Sequence, residues 1–422
     1  MEKKTFDNLG ETLFTETLAN GLQISIVPRT NFNKSYAAFA TNYGGADRRF
    51  KLAGEWIDTP AGVAHFLEHK MFDMPGYNAL SALSANGASA NAFTSPGMTA
   101  YYFDCTEGFY DNLNELLSFV STPYFSAESV EKEQGIIGQE IRMVEDSPGF
   151  VIYNELMRCL YEHNPIRDSV AGTIESISKI SDKTLYHCHE AFYNPSNMAL
   201  AVVGNVDPEK IVQMAKDILP GEPGEVPERD YGEKEAALPH QAEVRNRMEV
   251  SAPQFLFGTR FVPAEGKLYL RQKLVGSIAL NMLLGRSSPL FNLLYSAGLL
   301  NGEFEYELNY TAGSATILIG GESRNIEAVT DEFSKELSRI AADGVDKALF
   351  ESTKKSMFGD ALRTLSSFTA VGLSLIEGSF KGYCPIDSFE VLGSISADEV
   401  LSFINENIRA EKIALSIVKP KN

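Results

Sequence analysis

The chain has 422 residues, 44% hydrophobic and 22% charged, the balance of a globular protein long enough for two or three domains. Its net charge of −19 and pI near 4.8 argue against nucleic acid or an anionic membrane as a partner. There is no run of about twenty apolar residues to predict a membrane span, and the first residues lead into no apolar signal segment. Cys105, Cys159, Cys188 and Cys384 form neither a Cys-x-x-Cys pair nor a disulfide framework, which predicts a protein of the reducing cytoplasm.

In chain order, residues 22–29 and 36–43 alternate as half-buried strands do. Thr59 followed by Pro60 predicts the start of a helix, and Pro75-Gly76 its end. Between them runs Gly62-Val-Ala-His65-Phe-Leu-Glu68-His69-Lys-Met-Phe72. On a helix His69 and Glu68 lie about 40° and about 60° from His65, so two imidazoles and a carboxylate share one arc. Two His at i and i+4 can bind one divalent ion, and the adjacent carboxylate can take a proton from a water on that ion. His-x-x-Glu-His is the inverted form of the commoner zinc-protease motif. The rest of the segment is apolar nearly all round, which predicts burial, and buried His, His and Glu need a partner charge.

Ala88–Thr94 and Thr99–Cys105, joined by Ser95-Pro96-Gly97, predict an antiparallel hairpin. A helix over 109–122 ends at Pro123. Ser126 is the expected cap of the next helix. On it Val130, Glu133, Ile136, Ile137, Glu140 and Val144 share a stripe that the periodicity predicts to be buried. Two carboxylates in an apolar stripe call for a cation. A zinc ion held by His65, His69 and one of these two glutamates satisfies both helices at once. The glutamates lie roughly 10 Å apart along the axis, too far to share one ion. The remaining histidines carry less: His187 and His189 point in different directions, His163 precedes a turn, and His240 follows the linker.

A strand over 198–203 and a helix over 208–218 precede the Pro-, Gly- and acid-rich stretch from Pro220 to Glu235. Beyond it the order of elements repeats. Residues 316–321 and helix 325–341 mirror 101–105 and helix 109–120; helix 346–360 mirrors 126–140; strand 413–418 mirrors 198–203. This predicts two copies of one α+β domain, residues 1–219 and 241–422, joined by a linker at 220–240. Residues 278–286 of the second copy contain no His-x-x-Glu-His, so one metal per chain is expected.

With the motif, the second helix and the duplication in view, the sequence resembles the pitrilysin (insulinase-like) zinc peptidases over nearly its whole length. The resemblance implies two homologous domains of a pitrilysin-like or mitochondrial-processing-peptidase-like fold, each a mostly antiparallel sheet with helices on one face. It implies one Zn2+ on His65, His69 and Glu140, Glu68 as general base, and Glu133 as a nearby carboxylate needed for full activity. Asn91 and Ala92 match the strand that pairs with a substrate backbone. The implied activity is hydrolysis of peptides or unfolded polypeptides in a chamber formed by two subunits. The family's second domain usually carries an Arg after a Ser-Ser pair and a Tyr about a dozen residues on, which hold the substrate. Here Pro289 follows Ser287-Ser288 and Asn301 lies near the Tyr position, with Arg286 and Tyr295 nearby. Pro cannot donate a hydrogen bond and Asn is a shorter donor than Tyr. That departure points to a heterodimer with a homologous subunit lacking the zinc motif, rather than a homodimer. Alternatives on the same fold are a peptide-binding processing or scaffold subunit with little activity of its own, and a metal hydrolase of non-peptide substrates.

Overall fold

The computed structural model describes residues 1–421. The chain divides into two compact units. One comprises residues 1–141, 169–231 and 364–381; the other comprises 142–168, 232–363 and 382–422. The changeover at Tyr231 and Gly232 falls within the Pro/Gly-rich stretch expected to separate two domains. Each unit also takes in a segment from the opposite half of the sequence.

In the first unit, seven strands form one sheet in the order Glu2–Phe6, Glu11–Thr17, Gln23–Pro28, Met198–Gly204, Ser35–Thr41, Thr99–Cys105, Ser89–Thr94. Only the Met198–Gly204 and Gln23–Pro28 pair is parallel. The expected hairpin forms in register, Thr94 opposite Thr99 and Ser89 opposite Asp104, and leaves Ser89–Thr94 at the sheet edge.

Every residue of Ser35–Thr41 and Met198–Gly204 is buried, which requires cover on both faces of the sheet. Ala37 and Phe39 point into a core shared with helices Val63–Met71, Phe109–Ser121, Asp182–Phe192 and Pro208–Ile218. The opposite face is closed by a single helix, Phe368–Lys381. There Gly372 lies against the ring of Tyr36, which is fully buried.

The second unit repeats this plan. Its five strands run Glu243–Met248, Ala414–Pro420, Gln254–Phe261, Ser314–Glu322, Glu305–Thr311, again with one parallel pair, the first two. Strand for strand this is the order from Gln23–Pro28 to Ser89–Thr94 in the first sheet, as the repeated sequence pattern predicted. Helices Lys267–Leu284, Pro289–Ser296, Ile326–Asp343 and Ala397–Asn407 build the core on one face. Helix Pro148–Leu160 closes the other through Leu156 and Leu160, which pack with Leu318 and Ala414. Both domains are therefore α+β with mostly antiparallel sheets, each with its helical layer on one face and one further helix on the other.

Among the described residues no helix is long and apolar enough to cross a membrane, and all four cysteines are free.

A Cβ at residue 372 would overlap the ring edge of Tyr36, a rigid group with no room to yield. The atoms nearest a Cβ at 258 would be the side-chain ends of Leu156 and Leu160, at 2.8 and 2.9 Å, groups that can turn where a ring cannot. Gly372→Ala should therefore destabilise the protein by about 1–3 kcal/mol, the usual range for overpacking, and Gly258→Ala by less. Denaturant midpoints of the two variants check the ranking, and equal midpoints would contradict it.

Candidate metal centre

The motif helix is shorter than the sequence predicted. It spans Val63–Met71, and Gly62 caps it at φ 93°; Thr59 instead donates its hydroxyl to the Arg48 carbonyl. Gly62 is required twice over, by that left-handed φ and because a Cβ there would meet the Ala171 carbonyl oxygen at 2.6 Å. Pro75-Gly76 forms the turn of a small hairpin, Asp73–Met74 with Tyr77–Asn78, just past the helix. Burial is nearly complete around the helix: Val63, Ala64, Phe66, Leu67, Glu68, Lys70 and Met71 are all buried. His65 and His69 occupy the remaining, partly open side, with ring centroids 4.6 Å apart.

The second helix runs Ala127–Glu145, and its buried positions are Val130, Ile137, Gly138 and Ile141. Ile136, expected in the stripe, is 46% exposed. The stripe is centred slightly to one side of the predicted line, so Glu133 and Glu140 stand at its border and reach across to the motif helix.

Glu140 spans the two imidazoles. Its Oε1 lies 3.6 Å from His65 Nε2 and its Oε2 lies 3.7 Å from His69 Nε2. One ligand atom from each of the three residues lies within 4.8 Å of the others. The two ring-to-carboxylate distances exceed a hydrogen bond but approach the roughly 3.3 Å separating two ligands of a tetrahedral zinc. Glu133 sits behind His69, its Oε1 3.0 Å from Nδ1. That contact puts the ring proton on Nδ1 and turns the Nε2 lone pair toward Glu140, the carboxylate–histidine arrangement found behind metal ligands. Burial, with the nearby His69, pushes the pKa of His65 down to about 4, so its ring is neutral at pH 7 and free to donate a lone pair. Its buried Nδ1 has no hydrogen-bond partner. For His69, burial acts downward but the Glu133 hydrogen bond and the surrounding carboxylates outweigh it, and the pKa is raised. The donor set of two imidazole nitrogens and one carboxylate fits a zinc ion.

Glu68, 8% exposed, faces the same site. Burial raises its pKa; the Thr94 hydroxyl and His69 act against the shift, and Glu140 adds to it. A carboxylate held upward in this way is a better proton acceptor than one in water. Thr94 Oγ1 donates to Glu68 Oε2 at 2.5 Å. Thr94 ends the edge strand that also carries Asn91 and Ala92. Asn91 is exposed, and its Oδ1 accepts the Ala92 N–H at 2.8 Å.

Sequence reasoning missed two residues here, Thr94 and Lys70. Thr94 lies at the predicted hairpin corner, where periodicity is silent about partners. Lys70 carried a readable signal: an ammonium on a helix expected to be buried needs a carboxylate close by. His189, by contrast, is a core residue, its Nε2 3.2 Å from the Val120 carbonyl oxygen and its ring stacked on Tyr193.

Of the candidate second-domain donors, Pro289 lacks a proton, Asn301 already makes a hydrogen bond, and Arg286 and Tyr295 stand exposed. Pro289 opens helix Pro289–Ser296 behind the Ser288 cap, and Asn301 Nδ2 donates to Glu322 Oε2 at 2.9 Å. Arg286 is exposed, as is Tyr295 at 55%.

Comparison with known proteins agrees with this architecture. The sequence profile for insulinase (peptidase family M16) matches residues 53–174, and that for the peptidase M16 inactive domain matches residues 179–357. The Bacillus subtilis protein named "Uncharacterized zinc protease YmfH" is 36% identical over 425 residues, covering 99% of both chains. The beta subunit of the mitochondrial-processing peptidase of Saccharomyces cerevisiae is 22% identical over 432 residues, 95% of this chain and 90% of its own. The crystal structure of an M16-like peptidase from Alicyclobacillus acidocaldarius superposes with a TM-score of 0.93 at 31% identity, covering 97% of this chain and 99% of that one. A full-length relative at this identity, together with the two profiles in succession, places the chain in the M16 (insulinase, or pitrilysin-like) family of peptidases.

Proposed function

We propose that this protein is a zinc metallopeptidase that hydrolyses peptides or unfolded polypeptides, with one Zn2+ per chain on His65, His69 and Glu140. The observation that carries this reading is the approach of both Glu140 oxygens to the two Nε2 atoms at distances suited to sharing an ion. Residues 1–219 are the catalytic domain in this proposal, and residues 241–422, joined through 220–240, a homologous domain without a metal. Its four free cysteines suit the reducing cytoplasm.

Bound there, zinc would lower the pKa of a water to about 7 and polarise the scissile carbonyl. Glu68 is the general base: it takes the proton of the attacking water and passes it to the leaving amine. Thr94 holds the Oε2 end of Glu68, leaving Oε1 to carry the proton. Glu133 keeps His69 in the tautomer that offers Nε2. An extended peptide adds to the free side of Ser89–Thr94, aligned at Asn91 and Ala92 by backbone hydrogen bonds and read only loosely by sequence.

The same reading gives the chain a partner. Pro289 has no N–H to offer a substrate, Asn301 already gives one N–H to Glu322, and the yeast relative is by name one subunit of a peptidase. We assign this chain to a two-subunit chamber with a homologous chain that lacks the zinc motif and supplies the missing donors.

Elemental analysis should find about one zinc per chain, and His65→Ala, His69→Ala and Glu140→Ala should each lose it. Retention of zinc by Glu140→Ala together with its loss from Glu133→Ala would mean that the two glutamates have exchanged roles. Glu68→Gln leaves the three ligands intact, so it should keep its zinc while hydrolysis of a quenched peptide falls at least about 10²-fold. A zinc-replete, active Glu68→Gln protein would rule out the mechanism. For the partner, turnover per zinc should be low for the chain alone and rise on mixing with such a homologue. Full turnover by the lone chain, unchanged on mixing and insensitive to Arg286→Ala and Tyr295→Phe, would show that it is self-sufficient.

A further inference from the structure

Lys70 follows His69 directly and is almost fully buried, at 1% exposure. Its ammonium pairs with Asp73 and lies 3.9 Å from Glu133 Oε2. The other oxygen of Glu133 is the one on His69 Nδ1, and His69 Nε2 faces Glu140. Asp73, Lys70 and Glu133 therefore form one line of alternating charge that begins at a half-exposed carboxylate and leads to Nδ1 of a candidate ligand, His69.

A methionine could fill the space of the buried Lys70 stem. What methionine could not do is hold the far end of Glu133. A glutamate anchored at only one oxygen keeps its rotamer freedom, and a free rotamer can leave His69 Nδ1 without a partner. We propose that Lys70 is a positioning residue of the metal centre: its charge, 3.9 Å from Glu133 Oε2, holds that oxygen by ion pairing without a direct hydrogen bond, so that Oε1 stays on His69 Nδ1 and the Nε2 lone pair stays directed at the ion. This rests on the reading that His65, His69 and Glu140 bind zinc.

The test is a double-mutant cycle on the full chain, read as zinc affinity by chelator competition and as thermal unfolding of the metal-free protein. Lys70→Met and Glu133→Gln should each weaken zinc by about 10–100-fold, the range for lost outer-shell partners. The double variant should bind no worse than the weaker single variant, within about threefold, because both act through the same contact. Metal-free Lys70→Met should unfold below the wild-type temperature, because Glu133 is left without its cation, so positioning is read from zinc affinity and its non-additivity with Glu133→Gln, which a merely structural lysine would not produce. Zinc affinity of Lys70→Met within about threefold of wild type, or single losses that multiply in the double variant, overturns the proposal. If Lys70→Met does not fold, Lys70→Gln takes its place under the same criteria. A wild-type chain that binds no zinc overturns the metal reading itself, a result distinct from tight binding by wild type and variant alike.

Discussion

The first unit is organised around ionisable groups on a helix that is otherwise apolar. Glu68 and Lys70 are buried, and His65 and His69 line the one side left partly open. None of these groups would be stable at that depth alone, because the energy lost on leaving water has to be recovered from fixed partners. Each therefore draws in another element: Thr94 from the edge strand, Glu133 and Glu140 from the second helix, and Asp73 from the short hairpin after the motif. The helix, the strand and the second helix are held in one arrangement by hydrogen bonds and ion pairs as well as by apolar packing. A site assembled in this way gains its directionality from burial, since groups this far from water have few alternative partners.

The sheet gives that arrangement a rigid floor. Its central strands are buried on both faces, with the helical core on one side and Phe368–Lys381 on the other. Ser89–Thr94, by contrast, pairs on one side only, and an unpaired edge ordinarily invites aggregation. Here the exposed Asn91 occupies the Ala92 N–H with its own side chain. That local bond satisfies this N–H while the edge is unpaired. Thr94 connects the end of this strand to Glu68, so a strand docked along the edge and the proposed general base share one rigid element.

Much of this was legible in the residues. The arc of His65, Glu68 and His69 follows from helical geometry alone, and the Pro-Gly turn between two alternating runs specified the hairpin. The repeated order of elements foretold two sheets with matching topology. Helix limits were less legible. Thr59 and Pro60 form a good start signal, yet the Thr59 hydroxyl bonds elsewhere and the helix waits for Gly62, whose backbone fits against residue 171. The stripe on the second helix was read too wide, and Ile136 turned out exposed, because a few degrees of rotation in the docked helix decide which border residues meet solvent.

The sequence by itself determined the contents of each face: imidazoles and a carboxylate on one short helix, two glutamates on one side of another. It could do so because side-chain direction within a helix is set by local periodicity. Which glutamate faces which nitrogen was left open by that periodicity, since Glu133 and Glu140 lie on the same side of their helix. The offset and rotation with which the two helices dock decide it, turning Glu140 to both Nε2 atoms and Glu133 to the back of His69 and to Lys70. Those two quantities come from packing across dozens of intervening residues, and no local pattern encodes them.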